Sequence, residues 1–213
     1  MTSPLRFLFF ALIVRPLVLV VIGLNVRHRE RLPKLGPALI VANHNSHLDT
    51  LVLISLFPLH ALPRIRPVAA VDYFLSNRVL AWFALHIIGI VPLQREVKAG
   101  AGDPLAAACV ALKQNSILIL FPEGSRGEPE RLSRFKSGVA HLAKRHPEVP
   151  VLPIFLHGLG KALPKGEALL VPFFCDVFVG EGLCWHGDKH TWMTELDTRM
   201  QALAIEGKFT PWE

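Results

Sequence analysis

Two polar strings in this chain each begin where a short apolar run stops. Ala38 to Ala42 leads into NHNSHLD at residues 43–49, and the run from Ile117 to Phe121 leads into the string FPEGSRG at 121–127. Four or five consecutive apolar residues ended by turn-forming residues read as buried strands. In open α/β sheets ligands gather beyond the carboxyl ends of the strands, so both strings fall where such a fold builds a site.

The rest of the chain alternates in the same way, which predicts an α/β domain. After NHNSHLD a helix is expected over Leu48 to Phe57, then strands over Pro67 to Val71 and Ile87 to Leu93. Asp103 and Pro104 form a cap and first-turn pair opening a helix to about Gln114. Ser137 to Arg145 reads as a helix, Val151 to Leu156 as a strand, Leu169 to Val179 as one bent strand or a hairpin, and Thr191 to Ile205 as a final amphipathic helix. With 213 residues and 51% hydrophobic content the chain can bury one sizeable core. The expected organisation is therefore one domain over residues 31–213, preceded by an N-terminal segment over 1–30.

That segment is almost wholly apolar from Phe7 to Leu24, interrupted by Arg15 and Pro16. As a helix it would reach roughly 27 Å, close to the hydrocarbon thickness of a bilayer at about 30 Å. Arg15 would cost about 3 kcal/mol at the bilayer centre, and Pro16 removes a helical hydrogen bond, so a kinked anchor lying in one leaflet fits as well as a span. A buried core helix is the third reading. Arg27, Arg29, Arg31 and Lys34 follow directly and would meet anionic headgroups on the cytoplasmic side.

Within NHNSHLD, His44 and Asp49 suit an imidazole base held by a carboxylate. A hydroxyl that acts as a nucleophile must lose its proton, and imidazole can take it near neutral pH once a carboxylate has fixed its tautomer. A hydrogen-bonded loop pair without catalysis is the alternative for these two residues. Ser46 is an alternative nucleophile, although no GxSxG elbow surrounds it. His44, His47 and Asp49 could also be metal ligands, but their spacing is imperfect and no cysteine or second histidine pair completes a shell, so no metal is expected. In the second string Gly124 permits a turn whose backbone approaches a ligand closely, and Arg126 offers a planar fork matched to phosphate oxygens. Glu123 would repel an anion if unpaired, and so is expected to orient Arg126 or to bond a hydroxyl of the substrate.

Both strings occur in the order and spacing of the glycerophospholipid acyltransferases, which the chain resembles over roughly residues 35–158. GIVPLQR, ending at Arg95, is similar to the family's middle block, and VPVLPIF (149–155) to its last proline-bearing strand. Ser125 stands where the family often has Thr. The resemblance implies a single mixed sheet flanked by helices, with His44 and Asp49 catalytic and with Arg95, Glu123, Gly124, Ser125, Arg126 and Lys136 binding the substrate. It further implies transfer of a fatty acyl group from acyl-CoA or acyl carrier protein to the sn-2 hydroxyl of 1-acylglycerol 3-phosphate, giving phosphatidic acid, without a cofactor. Another lyso-lipid acceptor, such as a lyso-ornithine lipid, or a non-catalytic lipid-binding protein are the other readings.

The formal charge of +6 fits anionic lipid or acidic substrates. Its basic residues are dispersed, with no aromatic-rich recognition motif or zinc spacing, which argues against nucleic acid. Positive mean hydropathy points to a membrane surface, and the expected place is the cytoplasmic face of the inner membrane. Cys109, Cys175 and Cys184 lack ligand spacing and are expected to be buried thiols in a reducing compartment.

Overall fold

The computed structural model describes residues 3–70, 77–94, 102–124, 132–162 and 174–209. Among these residues seven strands form one sheet: β1 (Leu24–Arg27), β2 (Ala38–Ala42), β3 (Ile65–Ala70), β4 (Val91–Leu93), β5 (Ile117–Leu120), β6 (Val151–His157) and β7 (Cys175–Val179), in the spatial order β1-β7-β6-β2-β5-β3-β4. The pairing is parallel from β6 through β4, antiparallel between β6 and β7, and parallel again between β7 and β1. The sheet is thus mixed, as the resemblance implies.

Strand β2 lies between β6 and β5 and is buried along its whole length. Its alternate side chains enter opposite layers: Ala38, Ile40 and Ala42 join one core cluster, whereas Leu39 and Val41 join the other. Helix α2 (Leu48–Ser55) covers the first face. The second is covered by α4 (Ala106–Lys113), α5 (Gly138–Arg145) and α6 (Lys189–Glu206). A strand covered on both sides has no need of polar alternation, which is why its sequence is a continuous apolar run.

The N-terminal segment forms helical turns from Pro4 to Val21, beginning with α1 (Pro4–Phe9). Two stretches, Phe10–Val14 and Leu17–Val21, are π-helical, and the Arg15 N–H donates to the Phe10 carbonyl. Pro16 accounts for the first widening, since it has no N–H and its ring crowds the carbonyl four residues earlier. Arg6, Phe10, Val14, Val18 and Ile22 are all buried. That stripe repeats every four residues, which in an ideal α-helix would drift by about 40° per repeat; the wider π turns keep it on one face. The opposite side exposes Leu5, Leu8, Leu12, Ile13, Leu19 and Val20. One face of the segment therefore belongs to the core, as the core-helix reading expected, and the other face is open. Among the described residues no helix is long and apolar enough to cross a membrane.

Arg15, which would burden an anchor, serves the fold, as does Arg6. Arg6 donates from Nη2 to the carbonyls of Ile65 (2.8 Å) and Ile88 (3.0 Å). Arg15 reaches the Phe57 carbonyl at 3.0 Å, and Arg29 the Leu56 carbonyl at 3.1 Å, so two guanidiniums neutralise the C-terminal end of α2. Arg31 donates to the Val179 carbonyl, and Arg27 lies over the Phe178 ring at 5.0 Å. Three of the four basic side chains expected at headgroups are thus engaged by the protein itself.

Two further expectations change. The strand anticipated over Ile87 to Leu93 is confined to Val91–Leu93, because α3 (Arg78–Phe83) continues as a π-helical turn through Ala84–Ile88. Asn77 caps α3 by accepting from the N–H groups of Val79 and Leu80. Gly89 ends the helix at φ 77°, and a side chain there would strike the Arg6 guanidinium. The bent strand over Leu169 to Val179 is observed only as Cys175–Val179, since 169–173 lie outside the described residues. The three cysteines are free thiols; Cys175 is buried, Cys109 half-buried and Cys184 exposed, so burial holds fully for only one.

Candidate active site

Asp49 enters the first turn of α2 with its carboxylate completely buried. Its Oδ2 accepts from the Asn45 N–H at 2.7 Å, from the Ser46 N–H at 2.9 Å and from His44 Nδ1 at 2.9 Å. Three donors on one oxygen suit an ionised carboxylate, which only accepts. That assigns the imidazole proton to Nδ1 and leaves Nε2 with a lone pair, the form a general base requires. Burial pushes the Asp49 carboxyl upward in pKa, and the His44, Ser46 and Asn45 donors pull against that shift.

His44 lies two residues beyond β2, and its ring stacks on Phe121 just after β5, with centroids 4.2 Å apart and planes 21° apart. The side chain is 19% exposed, so an outside group can reach it. The alternative nucleophile, Ser46, is fully buried, and its Oγ accepts from the Leu48 N–H at the start of α2. Among the described residues no cluster of three His, Cys, Asp or Glu side chains is placed to hold a metal.

The second string meets the first through Glu123. Its Oε1 accepts from the His44 N–H at 3.3 Å, and the residue is only 5% exposed. Burial raises its carboxyl to about 7, against hydrogen bonds from His44 and Ser133 that favour the ionised form. Gly124 closes the turn by donating to the Phe121 carbonyl at 3.1 Å, at φ 77°. A Cβ at Gly124 would lie 2.5 Å from Lys136 Nζ, so the lysine stem lies across the turn where only glycine leaves room. The Lys136 N–H donates to the Pro122 carbonyl, which holds that lysine beside the string.

The structure thus joins His44, Asp49, Glu123, Gly124 and Lys136 in one connected set. Arg95, Ser125 and Arg126 lie outside the described residues. Sequence reasoning did not single out Phe121, Asn43 or Asn45. The two asparagines reach the Leu156 peptide on β6; their placement on either side of His44 was the available signal.

A family model for acyltransferases matches residues 23–157, which contain both strings. The chain belongs to the acyltransferase family. It is 32% identical over 165 residues to the chloroplastic 1-acyl-sn-glycerol-3-phosphate acyltransferase of Brassica napus, covering 77% of this chain and 42% of that protein. The Arabidopsis thaliana chloroplastic counterpart is 33% identical over 145 residues, with 68% and 38% covered. The aligned part of this chain therefore spans less than half the length of these plant relatives. A crystal structure of the 1-acyl-sn-glycerophosphate acyltransferase from Thermotoga maritima shares the fold, with a TM-score of 0.75 at 20% identity over 98% of this chain and 80% of the other.

The Glu123 environment sets a pH test. Its carboxyl rises from an ordinary 4.5 to about 7 on folding, so the stabilising contribution is complete below about pH 4.5 and is lost as pH climbs through about 7. Glu123→Gln cannot ionise and keeps an oxygen for the His44 N–H. It should be more stable than the wild type at pH 8, by on the order of 1–3 kcal/mol, with the gap shrinking toward pH 5. Urea midpoints at the two pH values measure this; an unchanged gap would show that folding does not raise the carboxyl.

Proposed function

We propose that the protein is a lyso-lipid O-acyltransferase, moving a fatty acyl group from a thioester to the sn-2 hydroxyl of 1-acylglycerol 3-phosphate. The observation that carries this reading is the 2.9 Å bond from His44 Nδ1 to the buried Asp49, which leaves Nε2 unprotonated on a side chain that is 19% exposed. Its support from similarity is that the plant relatives bear the name of that reaction.

In this reading the acceptor hydroxyl attacks the thioester carbonyl while His44 Nε2 removes its proton, and Asp49 stabilises the imidazolium so formed. The tetrahedral intermediate collapses with cleavage of the C–S bond, and the imidazolium returns the proton to the departing thiolate. The products are phosphatidic acid and free thiol. The substrate alcohol occupies the place a serine holds in a protease, so no acyl-enzyme forms. Lys136 over the Gly124 turn supplies a cation for the acceptor phosphate, together with Arg126, Ser125 and Arg95. Acyl-CoA and acyl carrier protein both carry the thioester this chemistry needs.

The exposed side of the N-terminal segment, residues 1–30, is proposed to rest on one leaflet at the cytoplasmic face of the inner membrane, where the lyso-lipid is held. Leu5, Leu8 and Leu12 line a groove of about 430 Å³ with Trp82 of α3, and Val79 and Leu85 of the same run are also exposed. Phe9 and Phe83 pack edge to face beneath it, with centroids 5.3 Å apart. An apolar patch this continuous marks a surface that is covered in use, and a tryptophan among leucines suits the headgroup boundary.

Two outcomes test the reading. Thiol release from acyl-CoA should require added 1-acylglycerol 3-phosphate, and His44→Ala should lower it by about a hundredfold or more; acceptor-independent release would reject the transferase, and full activity in a folded His44→Ala protein would reject His44 as its base. Leu12→Asp with Trp82→Asp changes exposed positions only, so the fold should survive while cosedimentation with phosphatidylglycerol vesicles drops. Unchanged cosedimentation would remove this face from the membrane contact.

A further inference from the structure

We propose that Asn43 is a positioning residue for acyl transfer, its side-chain amide substituting for a strand peptide on β6 and so fixing the point at which β2 releases His44. The inference rests on the general-base reading of His44 given above.

The backbone pairing of β2 with β6 ends at Ala42 opposite Ile154. One residue later the Asn43 side chain takes over the ladder. Its Oδ1 accepts from the Leu156 N–H at 2.7 Å, and its Nδ2 donates to the Leu156 carbonyl at 2.8 Å. A primary amide offers an acceptor and a donor on one planar group, as a peptide does, and only one orientation of the amide satisfies both contacts. The main chain of Asn43 is thereby free to leave the sheet toward α2 while its side chain remains in it. Asn43 is completely buried, so this pairing is closed to water. Asn45 Nδ2 binds the same Leu156 carbonyl at 3.2 Å, so the residues on both sides of His44 are moored to one peptide.

On the opposite side of β2, the His44 N–H is held by Glu123 from the end of β5. The backbone that carries the imidazole is therefore fixed from both neighbouring strands. The Asn45 N–H, from the moored segment, is also one of the three donors on Asp49 Oδ2. Release of Asn43 would loosen the His44 backbone and the Asp49 cradle together, whereas acceptor affinity, which resides at the Gly124 turn, would be spared.

The test is a double-mutant cycle between Asn43→Leu and His44→Ala, read by single-turnover and steady-state acyl transfer from acyl-CoA to 1-acylglycerol 3-phosphate. Asn43→Leu alone should lower kcat by about tenfold or more with KM for the acceptor changed by less than about threefold. In the His44→Ala background the same substitution should reduce the residual rate by less than about twofold, since a residue that acts through His44 has nothing further to lose. Equal losses in both backgrounds, or wild-type kcat in Asn43→Leu, would overturn the proposal. If circular dichroism shows Asn43→Leu unfolded, Asn43→Ser, which removes the amide and leaves room for water, is carried through the same cycle with the same criteria. Full activity in His44→Ala would instead reject the general base and this inference with it, whereas loss in His44→Ala with an additive cycle rejects the role of Asn43 alone.

Discussion

One carboxylate oxygen organises the site. Asp49 Oδ2 is buried, and it gathers two peptide N–H groups and the His44 ring within 2.7–2.9 Å. A buried ion without partners would cost several kcal/mol, so the turn between β2 and α2 must keep these donors converged for the fold to hold. The same convergence selects the imidazole tautomer. Folding stability and the chemical competence of His44 therefore have a common origin.

The position of β2 makes this possible. It has neighbours on both sides, so every constraint on the loop that follows can come from an adjacent strand: β6 through Asn43 and Asn45, and β5 through Glu123 and the Phe121 ring. The second string reaches the first because β5 is the neighbour of β2, which brings Glu123 within hydrogen-bonding distance of a residue 79 positions earlier. Because β2 and β5 run parallel, both strings leave the same end of the sheet, and Lys136 lies over the Gly124 turn of the second.

Much of this was legible in the sequence wherever an apolar run met a polar string. The limits of β2 agree to the residue, because Asn43 ends the run abruptly. Pairing of His44 with Asp49 could also be read, since both lie within one turn. Reach across the sheet could not: the bond from Glu123 to the His44 N–H depends on strand order, which no local pattern records. The N-terminal run was harder for another reason. It is apolar on every side, so composition alone could not separate the face buried against α2 from the face left open, and β1 was hidden in the same stretch. The stripe of Arg6, Phe10, Val14, Val18 and Ile22 was available, but its spacing of four identifies a helix face only when π turns are allowed. At α3 the Asn77 cap was present, and the adjacent isoleucines Ile87 and Ile88 favoured a strand instead.

The central claim is that Asp49 holds His44 as the Nδ1–H tautomer with a free Nε2. Nitrogen-15 NMR of the histidine rings, assigned by comparison with His44→Ala, tests it most directly. Above the titration of the ring, His44 should show a protonated Nδ1 with a downfield proton and an unprotonated Nε2, and both features should disappear in Asp49→Leu. A proton on Nε2 in the wild-type protein would contradict the account.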